Sequence, residues 1–175
     1  MFRRLRPASD LRGAIPVHMF QRKQTIFLLL AALCGLLTFL FPVDTFTRGE
    51  QTFVFRTTGF FTGDGTEVVD AQLKIPFAAV IALLAVLLVV VAFLYRNRVR
   101  QVRLAGMVNL LLLAVQVFFF ITDNSIRAYL EQGGEVVNRY GLSAILPLVM
   151  AGFVLLAIRG IRKDEALIKS MDRLR

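Results

Sequence analysis

The chain of 175 residues has one cysteine, Cys34, and one histidine, His18. The first excludes an intrachain disulfide and paired-thiol redox chemistry, and the second excludes a multi-histidine metal or haem site. Charge is absent from four apolar stretches, residues 25–43, 75–95, 104–121 and 141–158, none of which contains Asp, Glu, Lys, Arg or His. An ionisable group inside a bilayer is costly enough to need a functional reason, so its absence argues against a proton-coupled exporter. Serine chemistry at Ser143 would need a base, and the single histidine lies near the amino terminus. The sequence therefore predicts no enzymatic activity, no catalytic residue, no metal site and no cofactor.

What is present is apolar. Hydrophobic residues make up 57% of the chain and the mean hydropathy is +0.66, far above a soluble domain. Each apolar stretch is about 18 to 21 residues long, close to the roughly 20 that a helix needs to cross a hydrocarbon core. The expected fold class is an all-α membrane protein, a four-transmembrane-helix bundle with a small extracytoplasmic β-hairpin or flap between helices 1 and 2. Ala31 and Gly35 on the first helix, and Ala78, Ala82 and Ala85 on the second, are the expected close-packing faces. Cys34 reads as a small packing residue, and Pro147 predicts a kink in the fourth helix.

In so apolar a chain the formal charge of +9 is a topology signal and not a nucleic-acid footprint. Sixteen of the 21 Lys and Arg residues fall in residues 1–24, 96–103 and 159–175. The positive-inside rule places these segments and both termini in the cytoplasm, in a multi-pass arrangement in the cell inner membrane. Residues 1–18, with Arg3, Arg4, Arg6, Arg12, Pro7 and Pro16, read as a disordered basic arm, Met19 being an alternative start. Residues 19–175 then form one membrane domain with outer loops 44–74 and 122–140, an inner loop 96–103 and a cytoplasmic tail 159–175.

In the first outer loop, residues 52–57 alternate as a strand does, and Gly63-Asp64-Gly65 supplies a turn. Asp64, Glu67 and Asp70 lack the spacing of a calcium loop and read as solvated carboxylates. In the second, Thr122-Asp123-Asn124-Ser125 offers capping chemistry for a short helix through Glu131 that Gly133-Gly134 would end. Asn109 and Gln116, seven residues apart, share one face of the third helix. They are candidates for interhelical hydrogen bonds or for a polar site holding a head group or small ligand. In the tail, Arg162, Lys163, Asp164, Glu165, Ser170, Asp172 and Arg173 are candidates for docking on anionic inner-leaflet lipid or on a protein partner.

The opening Met19-Phe20-Gln21-Arg22-Lys23-Gln24-Thr25-Ile26-Phe27-Leu28-Leu29-Leu30-Ala31-Ala32 is one of three segments that carry a resemblance. The others are the turn from Asn97 to Leu104 leading into Asn109, and the ending Ile161-Arg162-Lys163-Asp164-Glu165-Ala166-Leu167 with Ser170 and Asp172-Arg173-Leu174-Arg175. Over residues 19–175 the chain resembles a domain-of-unknown-function family of small four-span integral membrane proteins of Bacteroidota. The resemblance implies architecture and inner-membrane residence, and transfers no catalytic residue. The tail mixes both charge signs in a defined order, whereas attraction to lipid needs only Lys and Arg. The expected role is thus a non-catalytic accessory or scaffold subunit of a membrane complex with an unidentified protein partner. The alternative is a small transporter or lipid-handling protein with its polar site at Asn109 and Gln116. Homo-oligomerisation is left open, because small-residue faces can be consumed within one chain.

Overall fold

The computed structural model describes residues 23–68, 75–94 and 97–172, with side chains described to residue 166. The expected basic arm, residues 1–18, lies outside the described residues. Four helices, α1 (Lys23–Leu37), α2 (Phe77–Phe93), α3 (Arg98–Glu131) and α4 (Leu146–Asp172), pack side by side. Each touches two others, α1 and α3 both lying against α2 and α4. Their shared core holds Leu28, Ile81, Leu88, Leu112, Met150 and Val154. Small residues set the spacing: a Cβ on Gly35 would stand 2.9 Å from the Met150 Cε and 3.2 Å from the Ala85 Cβ. Ala31 and Ala85 are buried with Gly35, whereas Ala78 is half-buried and Ala82 exposed.

At one end of the helices lies an antiparallel sheet of β1 (Asp44–Arg48), β2 (Gln51–Arg56), β3 (Gly59–Thr62) and β4 (Val137–Tyr140), in the order β3-β2-β1-β4. Gly49, at φ 58°, supplies the left-handed residue that the two-residue turn from β1 to β2 requires. The strands alternate, so Phe53 and Phe55 point to one face of β2, and Phe46 and Phe60 join them from β1 and β3. That face rests on the helix ends. The Phe55 ring meets Phe77 of α2 at 6.2 Å and Phe119 of α3 at 6.1 Å, and Phe77 meets Phe119 at 4.7 Å, all edge to face.

The fold therefore corrects the expectation of an all-α, four-transmembrane-helix bundle. It combines helices with a four-stranded sheet, and among the described residues α3 alone is long and apolar enough to cross a membrane. Helices α1 and α2 have 15 and 17 residues, short of the roughly 20 a crossing needs. The apolar stretch 25–43 does not remain one helix, because Pro42 disfavours helical backbone at the residue before it and the chain turns into β1. The flap is not confined to the segment between the first two helices either: β4, from residues 122–140, pairs with β1 in the register Asp44↔Tyr140 to Thr47↔Val137.

The expected short helix at 122–131 is the last part of a continuous α3. Thr122 to Ser125 cap nothing, and the Ser125 hydroxyl donates back to the Ile121 carbonyl at 2.8 Å. Pro147 stands in the first turn of α4, where its missing N–H breaks no helical hydrogen bond. The tail continues α4 to Asp172 instead of forming a separate helix. Replacing Phe119 with Ala should cost about 3 to 5 kcal/mol, because the ring joins sheet to helices. Denaturation of the purified protein in detergent would read this as an early loss of sheet, and an unchanged midpoint would refute it.

Candidate functional site

The most chemically distinctive place is where α3 meets β1 and β4. Asp44, the first residue of β1, is fully buried, and Asp123 on α3 is 4% exposed. The apolar, uncharged part of α3 runs from Leu104 to Ile121, so Asp123 lies just beyond it, on the sheet side. The two carboxyl groups are within hydrogen-bonding reach of one another. Around Asp44, the Thr45 backbone N–H donates to Oδ1 at 2.6 Å and the Asn138 side-chain amide donates to Oδ2 at 3.0 Å. Tyr140 of β4 brings its hydroxyl to Asp123. The Asp123 Oδ1 is buried and has no hydrogen-bond partner among the described residues.

Burial, and then the adjacent Asp44, push the Asp123 carboxyl up to about 7, against the opposing pull of the Tyr140 hydroxyl and the Arg127 charge. Arg127 cannot neutralise the pair closely, because its guanidinium is engaged with Glu131 at 2.8 Å on the surface. A carboxylate pair that favours a single proton is the arrangement general acid–base sites exploit.

The sequence did not single out Asp44, and it offered Asp123 only as part of the capping segment Thr122 to Ser125. A signal did exist: Asp123 follows Gln116 and Asn109 at the same seven-residue interval, so the three lie along one face of α3. All three are buried, and each keeps one side-chain oxygen without a partner among the described residues.

Gln116 donates through Nε2 to the Ala144 carbonyl at 2.9 Å, in the short 3-10 turn Leu142–Ala144 that precedes α4. Among the tail candidates, Arg162 and Lys163 are exposed and Asp164 is half-buried. Asp164 accepts a hydrogen bond from Gln24 of α1, which makes it part of an internal tie. Glu165 is half-buried and engaged. The side chains of Ser170 and Asp172, and all of Arg173, lie outside the described residues. Asp64, with Glu67 beside the same turn, accepts from the Thr66 N–H at 3.1 Å and the Thr66 hydroxyl at 2.8 Å; these bonds hold its exposed carboxyl below its ordinary range. Asp70 lies outside the described residues.

Removing the Asn138 amide should leave Asp44 short of a donor in a buried site. Asn138→Ala is expected to cost about 1.5 to 3 kcal/mol, as for hydrogen bonds to charged groups, with Asn138→Asp worse. Equilibrium unfolding would check both, and equal stability of Asn138→Ala and the parent would contradict the role given to the amide.

No curated protein matches the chain. Residues 20–174 match the family described as Domain of unknown function (DUF4293). With all the described residues inside that match, the chain belongs to this domain-of-unknown-function family.

Proposed function

We propose that the protein is a non-catalytic accessory or scaffold subunit of a complex in the cell inner membrane. In this reading α3 crosses the bilayer, the shorter helices are embedded beside it, the sheet lies on the outer side and both termini are cytoplasmic. The observation that carries it is the outward face of the helices. Leu83, Val86 and Phe93 of α2, Leu110 and Val117 of α3, and Leu155 of α4 are all more than two-fifths exposed. A soluble monomer rarely exposes a contiguous apolar patch of more than a few hundred Å², so this face calls for lipid tails or protein.

The charge pattern supports the orientation. Gln24 reaches Asp164, and Gln101 donates to the Val91 carbonyl at 2.9 Å, so the start of α1, the end of α2, the start of α3 and the later turns of α4 share one end of the molecule. Lys23, Arg98, Arg100, Arg103, Arg159 and Arg162 cluster there, opposite the sheet, on the side the positive-inside rule assigns to the cytoplasm. Exposed Arg162 and Lys163 are the groups best placed to meet a partner. A small transporter or lipid-handling protein is the second reading, favoured by the unpartnered Asn109 and Gln116 oxygens in the helical core.

Two measurements test the proposal. The protein should stay with the membrane pellet after alkaline extraction, and release into the supernatant would reject bilayer residence. A mild-detergent pull-down from the native host should recover a partner that Arg162→Gln with Lys163→Gln reduces by about fivefold or more, the scale of losing roughly 1 kcal/mol of affinity. Recovery of lipid alone, with Asn109→Leu lowering it, would favour the second reading over the first.

A further inference from the structure

Asp44 and Asp123 differ in what surrounds them. Both oxygens of Asp44 already accept hydrogen bonds, from the Thr45 N–H and the Asn138 amide. Asp123 has a buried oxygen with no partner among the described residues. The other polar groups at the junction are mostly donors: a backbone N–H, an amide NH₂ and the Tyr140 hydroxyl. A hard divalent cation takes about six to eight oxygen ligands, and no group of three or more acidic, histidine or cysteine side chains able to hold a metal occurs among the described residues. A single proton suits what is there: placed on Asp123, it lets an acceptor-only carboxylate donate to the neighbouring Asp44 and removes one of two buried like charges.

We infer that Asp44 and Asp123 form a proton-binding site, in which one proton carried by Asp123 and donated to Asp44 clamps the outer end of α3 to β1. Asp44 lies in the doubly paired part of β1, opposite Phe55 on β2 and Tyr140 on β4, so the clamp acts on three strands at once. The titratable and charged groups facing Asp123 are Asp44 from β1, Tyr140 from β4 and Arg127 one turn further along α3. Losing the proton leaves two carboxylates in contact away from water, and separation of β1 and β4 from α3 is the way to hydrate them. This site is independent of the proposed scaffold role, since it depends on no partner.

The sign follows from linkage. Burial and Asp44 hold the proton on Asp123 up to about pH 7 in the folded protein, whereas an unfolded Asp releases it near pH 4. Between those limits the folded state binds the extra proton. Its stabilisation is full below about pH 4, declines as pH rises and is gone above about pH 7.

Hydrogen exchange by mass spectrometry on the intact protein in detergent, corrected for intrinsic rates, tests this at the amides of residues 44–48 and 137–140. Protection should fall by up to about tenfold per pH unit as pH rises from about 5 to 7 and then level off. In Asp123→Asn the amides should stay protected without that slope. Infrared difference spectra should show a protonated carboxyl at about pH 6 that is absent at about pH 8.5 and missing from the variant. Should Asp123→Asn not fold, Asp44→Asn serves instead, and the midpoint should move to lower pH because the like charge is gone. A flat parent profile, a slope that survives Asp123→Asn, an unmoved midpoint in Asp44→Asn, or protection restored at about pH 8 by calcium or magnesium would each overturn the assignment, the last in favour of a cation site.

Discussion

Phe77 opens α2 and Phe119 lies two-thirds of the way along α3, and the contact of their rings at 4.7 Å fixes the seat on which the sheet rests. Phe55 of β2 closes a triangle with them. Strand side chains alternate, so pointing Phe55 at the helices points Phe53 there as well, and antiparallel pairing brings in Phe46 and Phe60. A slip of one residue would turn the two phenylalanines of β2 to solvent and bring Thr52 and Val54 inward. One aromatic contact thus sets the start of α2, the height of the sheet along α3 and the register of the first three strands.

A sheet laid on helix ends covers backbone groups that a helix cannot satisfy itself. The chain supplies partners from distant positions. The Thr38 hydroxyl donates to the Gly35 carbonyl at 2.7 Å, and the Ser143 hydroxyl stands 3.0 Å from the Thr38 carbonyl and 2.8 Å from that of Phe41. Arg48 of β1 reaches the Leu130 carbonyl at 3.3 Å, putting a cation at the negative end of the α3 dipole, and Gly133 leaves room for it. The ring of Phe53 lies 5.4 Å from the same guanidinium. In this well-satisfied junction the two aspartates stand out, because their proximity leaves a need that no neighbouring donor fully meets.

Much of this was legible and some was not, for physical reasons. Apolar runs without charge mark the helices whatever surrounds them, so each expected stretch overlaps one. Their lengths were misread because hydropathy does not see backbone: Phe39-Leu40-Phe41 is as apolar as the helix before it, and the break comes from Pro42 and the β1 pairing beyond. Alternation revealed the strand near Phe53 and Phe55, but not that Val137 to Tyr140 would pair with β1, since nothing local encodes a partner 90 residues away. For the same reason Asp44 reads as a loop charge and Asp123 as part of a helix-capping segment. Their burial arises only when β4 and α3 close around them.

The basic end follows a different logic. Helix α3 begins with Arg98 and Arg100, has no acidic residue in its first turn, and is capped by the Asn97 side chain, which accepts from the Arg100 N–H at 3.3 Å. A helix amino terminus carries a partial positive charge, so helix stability alone would select acidic residues there. The ties that hold this end together use neutral amides, Gln24 and Gln101, and leave the exposed cations Arg100 and Arg103 outside them. Arg100, in the first turn, stands against the local dipole and outside the internal ties, a placement that the proposed cytoplasmic leaflet surface would accommodate. An anionic leaflet surface rewards each nearby Lys or Arg by about 1 kcal/mol, enough to outweigh a dipole cost of about 0.3 to 1 kcal/mol. In bulk water the dipole cost would stand alone, and under the proposed membrane reading the leaflet surface is what offsets it.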